Sequence, residues 1–589
     1  MFDKLIGNSY NGGAMKKLLI YLKHYKKESV LAPLFKMLEA CLELIVPLVV
    51  ASIIDDGIQG GDMKLVLSRA GVLLLLAVVG MVAAISAQYF AAKAATGFAT
   101  EVRHALFAKI QSFSYSELDR LGVATLITRM TNDVNQAQSA VNMVLRLFLR
   151  SPFIVAGAFV MALTIDVKAS LIFLGIIVLL SAVVYAVMKK TFPMYKNVQN
   201  TLDGVTLLTR ENLTGARVIR AFTEEEGELA RFTEQNNLLA HLQRVVGRLS
   251  ALMNPLTFVI VNLGVIALIR YGAVSVDGGR LSQGNVVALY NYMSQILIEL
   301  VKFANLIVTI TRGFASGARI AKVLEENSTL RFVDSATVED THKVQFDRVS
   351  LTYQGAGEES LSNISFFADR GDVIGIIGPT GSGKSSLVNL IPHYYDATQG
   401  TVTVNGRNVQ SYDVKALRGK IGFAAQKAVL FSGTVRENMQ WGKADATDAE
   451  IDEALKIAQI YDTVYAKEGL DTVIEQGGTN LSGGQKQRLA VARALVAKPE
   501  IIVLDDSASA LDFATERAMR EAILRLDYQP TLFIVSQRCS SILTADKILV
   551  LDDGELVDMG TNEELLSRCA LYREIFYSQF EKEETVHEQ

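Results

Sequence analysis

The chain is 589 residues long, half of them hydrophobic and only 20% charged, with a formal net charge of −4 and a mean hydropathy of +0.26. Charge below the roughly 25% of soluble globular chains implies that part of the sequence is built for lipid, and the length implies several domains. A disulfide scaffold and a single small module are excluded, the three scattered cysteines (Cys41, Cys539, Cys569) argue against a zinc centre and fit a reducing compartment, and the charge leaves no nucleic-acid footprint.

In chain order, stretches free of Asp, Glu, Lys and Arg run over 70–92, 169–188, 249–269 and 281–298. Each approaches the roughly 20 residues that cross about 30 Å of hydrocarbon as a helix. Two further spans are interrupted by charge, one over 29–54 with Lys36, Glu39 and Glu43, the other over 141–165 with Arg146 and Arg150 near its start. The two arginines are expected to snorkel from the span end to the interface. Six spans result. The first is too long and too charged for the apolar region of a signal peptide. No peptidase-sized segment precedes it, so an exporter that trims its own peptide cargo is not expected.

Basic residues set the orientation. Lys16, Lys17, Lys23, Lys26 and Lys27 precede or open the first span, whereas Asp55, Asp56 and Asp62 follow it. The positive-inside rule places the N-terminus in the cytoplasm, and six spans return the C-terminus there, in a multi-pass cell membrane protein. The thiol usage and lack of a targeting segment fit a bacterial inner membrane. The charged connections 93–140 and 189–248 lie on the cytoplasmic side, while 164–169 is a tight turn. At ~1.5 Å per residue, helices of 20 or more residues carry those connections roughly 30 Å beyond the bilayer as stalks.

Glu39 and Glu43 are four residues apart and share one helix face. A carboxylate within a span faces the bundle interior, a cavity or a partner charge. Two readings stand side by side: an acidic lining that contacts amphipathic cations, and internal pairing with Lys36 one turn away. Glu299 and Lys302, three apart in the last span, are read as such a pair.

Beyond Lys343 the pattern changes. Short β-branched runs at Val373–Ile377, Ile501–Leu504 and Thr531–Val535 alternate with helical stretches, which predicts a buried, largely parallel sheet. The expected organisation is a membrane domain over 1–325, a polar linker over 326–342, an α/β domain over 343–580 and a charged tail over 581–589, for which disorder is expected.

After the run 373–377, Gly378, Pro379, Thr380, Gly381, Ser382, Gly383, Lys384 and Ser385 fit the G-x-x-x-x-G-K-[ST] pattern, with Ser386 following. The glycines let backbone N–H groups wrap phosphates, Lys384 adds a point charge and Ser385 ligates Mg²⁺. The run 501–504 ends in Asp505, the carboxylate expected on the Mg²⁺ side. The fold class is therefore a six-span α-helical membrane domain followed by an α/β P-loop domain, with a nucleotide and Mg²⁺ as its ligands.

At Leu481-Ser482-Gly483-Gly484-Gln485 the chain resembles the ATP-binding cassette family, whose signature sequence this is. Six spans fused ahead of one cassette look like a half-transporter of the type I exporter class. The segments Gly122–Asp133 and Glu211–Phe222 resemble its cytoplasmic coupling segments. The resemblance implies that Tyr353 stacks on adenine and that Gln426 senses Mg²⁺ and the membrane domain. It also implies that Ser509–Asp512 crosses a dimer interface, and that Ser482 and Gly484 bind the γ-phosphate held by a second half-transporter. ATP would then favour the closed cassette dimer and an outward-facing membrane domain.

Two positions depart from the family pattern. After Asp505 the family places a Glu that activates water, where this chain has Asp506; after 531–535 it places a His, where this chain has Gln537. Losing one methylene withdraws a carboxylate by roughly 1.5 Å, and misplacement of about 1 Å costs on the order of 100-fold. A neutral amide hydrogen-bonds phosphate but never becomes cationic. The expectation is a site that binds ATP and hydrolyses it poorly, as in the degenerate-site subunit of heterodimeric bacterial multidrug exporters. A homodimer with two slow sites and a regulatory or channel-like cassette are the alternatives. The cargo expected is a hydrophobic or cationic small molecule, with lipid or peptide as the alternative.

Overall fold

In the computed structural model, residues 15, 17–333 and 342–580 are described; Lys16, most of the expected linker and the charged tail lie outside them. Among the described residues six helices are long and apolar enough to cross a membrane, including Met63–Gln111 with 49 residues and Val167–Thr214 with 48. At ~1.5 Å per residue a helix of that length extends roughly 70 Å, more than twice the hydrocarbon thickness. The long spans therefore run on into charged sequence without a break, as the stalk expectation requires.

Two compact units divide the chain: one holds the residues up to Lys109 and Leu126–Glu326, the other Ile110–Thr125 and the chain from Asn327 onward. The first unit packs around Leu44, Ala158, Ala162, Phe173, Leu268, Leu289 and Tyr292. Small residues let its helices approach closely, since apolar lipid offers no other drive to pack them. Gly313 shows how tightly: a Cβ there would meet the Cβ of Ala140 at 2.1 Å. The fully buried Tyr292 sends its hydroxyl to the carbonyl of Leu44 at 2.7 Å, so its one polar atom is satisfied.

In the second unit the strands are β1 (Val344–Leu351), β2 (Leu361–Ala368), β3 (Val373–Ile377), β4 (Gln399–Val404), β5 (Arg407–Asn408), β6 (Ile421–Ala424), β7 (Gly433–Thr434), β8 (Val473–Ile474), β9 (Ile501–Asp505), β10 (Thr531–Val535), β11 (Lys547–Asp552) and β12 (Glu555–Gly560). A six-stranded sheet runs β12-β11-β3-β10-β9-β6, beside a four-stranded sheet β2-β1-β4-β5 and the small pair β7-β8. In the large sheet β11, β3, β10, β9 and β6 are parallel and β12 is antiparallel. Every residue of β3, β9 and β10 is buried, which explains why these strands read as unbroken apolar runs rather than as alternation. Parallel order brings the ends of β3, β10, β9 and β6 to one edge. There the chain continues into Gly378, Ser536, Asp506 and Ala425 respectively, with Gln426 one residue further on, and ligands of open α/β sheets bind at that edge.

Two segments differ in placement from the domain plan read in the sequence. Residues 110–125, expected to be part of the membrane domain, fold with the cassette-like unit. The described start of the expected linker is also tied down there: Thr329 N–H donates to Glu117 Oε1 at 2.8 Å, Arg331 N–H to Asp396 Oδ2 at 2.7 Å and Val333 N–H to the Gln410 carbonyl at 3.1 Å. These partners lie far away in sequence, so local polarity alone reads as linker.

Candidate functional site

A cavity of about 630 Å³ opens at the C-terminal edge of β3, with Gly381, Gly383, Lys384, Ser385, Gln426 and Gln537 in its wall. Its volume falls in the ordinary range for small-molecule sites. The wall follows from backbone geometry. Gly383 sits at φ +89°, and a Cβ there would meet the Ser360 carbonyl at 2.6 Å; a Cβ on Gly378 would meet the Leu551 carbonyl at 2.0 Å. Only glycine lets the loop turn back over its own strand here.

Lys384 is buried, and its ammonium donates to the carbonyls of Gly378 at 2.8 Å and Pro379 at 2.6 Å and to Ser382 Oγ at 3.3 Å. Burial pulls its pKa down, against the opposing charges of Asp506 and Asp505. Ser385 Oγ donates to Asp505 Oδ1 at 2.9 Å. Burial pushes the Asp505 carboxyl up, the Ser385 bond opposing it and the neighbouring Asp506 adding to the rise. A buried ammonium in a glycine-walled loop and a hydroxyl–carboxylate pair are a donor set for phosphate oxygens and a hard divalent cation. The residues present therefore fit a magnesium nucleotide. Thr380 and Ser386 also line the cavity, and Tyr353 donates its hydroxyl to Ser386 Oγ at 2.9 Å.

The two departures from the family pattern lie at the same edge but are not equivalent. Gln537 lines the cavity. Asp506 is not among the lining residues; it sits at φ +45°, and its Oδ2 accepts from Gln426 Nε2 at 3.2 Å. The short side chain is thus turned to the amide of Gln426.

Ser482, Gly483, Gly484 and Gln485 form a different surface. They open the helix Gly483–Leu495, where Ser482 N–H donates to Gln485 Oε1 at 3.0 Å and Gln485 N–H to Ser482 Oγ at 3.3 Å, a capping box. None of the four lines the cavity beside Lys384. Gln487 ties this helix to the loop 509–512: its Nε2 donates to Ser509 Oγ at 3.0 Å and its Oε1 accepts from Ala510 N–H at 2.9 Å.

In the membrane unit the acidic pair is neutralised. Lys36 Nζ bonds Glu39 at 2.6 Å and Lys302 Nζ bonds Glu299 at 2.9 Å, the pairings that three-residue spacing suggests. Arg150 requires a correction. Expected to snorkel to the interface, it is instead buried, donating to Glu299 Oε1 and Glu43 Oε2 at 2.6 Å each, with Glu39 at 3.8 Å. Ser151 Oγ adds a bond to Glu299 at 2.7 Å. A guanidinium's planar fork serves two carboxylates at once, which an interfacial arginine would forgo. The sequence gives no local signal for this, because Arg150 lies more than a hundred residues from both carboxylates.

The family model described as ABC transporter transmembrane region matches residues 29–300, and the one described as ABC transporter matches 361–509. The chain is 39% identical over 572 residues to the uncharacterized ABC transporter ATP-binding protein YfiB of Bacillus subtilis, spanning 97% of this chain and 99% of that protein. It is 31% identical over 578 residues to the putative multidrug export ATP-binding/permease protein YgaD of Bacillus subtilis, spanning 96% and 99%. A solved bacterial Atm1-family ABC exporter with ATP bound has the same fold, with a TM-score of 0.79 over 95% of this chain and 99% of that one at 23% identity.

Proposed function

The chain belongs to the ABC transporter family, and from that premise we propose that it is one half of an ATP-driven exporter whose own nucleotide site is weakened. The loop 378–385 holds the phosphates, with Lys384 released from its own carbonyls to meet them. Ser385, Asp505 and the side-chain oxygen of Gln426 would hold Mg²⁺, which supplies neutralising charge at the outer phosphates. Tyr353 offers its ring to adenine. Ser482, Gly483, Gly484 and Gln485 serve a site completed by a second half-transporter, so a partner carrying the missing Glu and His makes one competent site and leaves one poor one. The termini face the cytoplasm.

The observation that carries the weakened site is that the short Asp506 side chain is engaged by Gln426, while Gln537 stands in the cavity wall without a titratable nitrogen. The remedy is the test. Asp506→Glu together with Gln537→His is expected to raise the Mg²⁺-ATPase rate of the purified chain by at least about tenfold, in keeping with what small misplacements cost. An unchanged rate overturns the reading.

For cargo, three carboxylates (Glu39, Glu43, Glu299) meet three cations (Lys36, Arg150, Lys302), so the network has no net charge to offer a cation. This favours hydrophobic small molecules over strongly cationic ones. The relative YgaD is named a putative multidrug export protein, which supports small molecules as the cargo class.

A further inference from the structure

The short helix Tyr115–Leu121 belongs to the cassette unit although membrane-unit sequence flanks it on both sides. Glu117 fixes it in place. Its Oε2 accepts from Ser114 N–H at 2.7 Å and its Oε1 from Thr329 N–H at 2.8 Å. Burial pushes the Glu117 carboxyl up, but the bonds from Ser114 and Thr329 outweigh it and hold it below the usual range. From this fixed helix two side chains reach a cluster of tyrosines. Tyr115 stacks on Tyr394 with ring centroids 4.4 Å apart, and Asp119 Oδ2 accepts the hydroxyl of Tyr395 at 2.6 Å.

The cluster continues to the nucleotide cavity. The Tyr395 ring meets Tyr353 edge-on, with centroids 5.0 Å apart and planes at 86°, and the Tyr353 hydroxyl ends on Ser386, next to Ser385. Edge-to-face rings and a bond to a charged acceptor both fix orientation, and together they leave the Tyr395 side chain little freedom. Burial and the Asp119 carboxylate push the Tyr395 hydroxyl well above its ordinary range, so it remains a donor at any physiological pH.

We propose that Tyr395 is a positioning residue through which Asp119 sets the pose of Tyr353, and with it the affinity of this chain for adenine nucleotides. The proposal rests on the reading of Tyr353 as the surface that meets adenine. It gives the helix 115–121 a line to the site through the tyrosine cluster. Because coupling between two sites is reciprocal, whatever moves that helix changes nucleotide affinity, and bound nucleotide restrains the helix by the same factor.

The test is equilibrium binding of a ribose-labelled fluorescent ATP analogue to the full chain in lipid nanodiscs, beside thermal unfolding of each variant. Tyr353→Ala is expected to weaken binding at least tenfold. Tyr395→Phe keeps the ring and removes only the hydroxyl, and Asp119→Asn keeps the shape and removes the charge; each is expected to weaken binding about 3- to 10-fold without lowering the unfolding temperature. The double variant should be no weaker than either single one, because both changes remove the same bond. If Tyr353→Ala weakens binding while the other two bind as wild type, the proposal falls and the reading of Tyr353 stands. If Tyr353→Ala binds as wild type, that reading falls too. Additive losses in the double variant, or losses that track a lower unfolding temperature, also overturn the proposal.

Discussion

Gly383 shapes the backbone of the phosphate loop beside Lys384. Its φ of +89° and the Ser360 carbonyl 2.6 Å from a would-be Cβ leave no room for a side chain. Gly383→Ala is expected to cost about 5- to 150-fold in nucleotide affinity through backbone strain of roughly 1–3 kcal/mol; fluorescent-nucleotide binding checks it, and wild-type binding would show that the loop relaxes. This part of the site was legible in the sequence because its demands are local. Eight consecutive residues prescribe the backbone, and the neighbouring run prescribes the strand. The significance of Asp506 and Gln537 was legible only against the family pattern, since neither residue is unusual in itself. That Asp506 turns to Gln426 was not legible, because the two residues come together only when β9 and β6 pair.

At the scale of elements, charge placement within the spans separates what periodicity reveals from what it hides. Lys36 with Glu39 and Lys302 with Glu299 could be read from helical spacing. Arg150 could not, since it joins three different helices of the membrane unit: Lys26–Ser52, Arg150–Ile165 and Gln283–Leu324. Removing one partner of a buried pair leaves an uncompensated charge, which costs about 3–5 kcal/mol. Arg150→Met is therefore expected to lower the unfolding temperature sharply, while Arg150→Met with Glu299→Leu and Glu43→Gln should recover most of the loss. Equal instability of the single and combined variants would mean that the network contributes packing alone. The sheet tells the opposite story: β3, β9 and β10 were legible because total burial demands continuous apolar sequence, and their parallel pairing brings the site together. The helix 115–121 was hidden within a charged connection, because its Tyr115, Glu117 and Asp119 take partners from residues 329–395.

At the scale of the molecule, the described residues supply six apolar helices long enough to span a membrane, a phosphate loop and a signature helix. Its cavity wall and its signature surface do not meet within the chain, which is the arrangement expected of a half that works only in a pair. Under the proposed weakening of its own site, the signature that this chain retains gives the pair its direction: this chain would complete its partner's site better than it runs its own. The measurement that tests this most directly is Mg²⁺-ATPase of the chain purified alone in lipid, beside the same chain co-expressed with a half-transporter that carries Glu and His at the two positions. The account expects the two chains to co-purify and hydrolyse ATP while the chain alone is nearly inert. Brisk turnover by the chain alone would contradict it and make Asp506 and Gln537 competent in a homodimer.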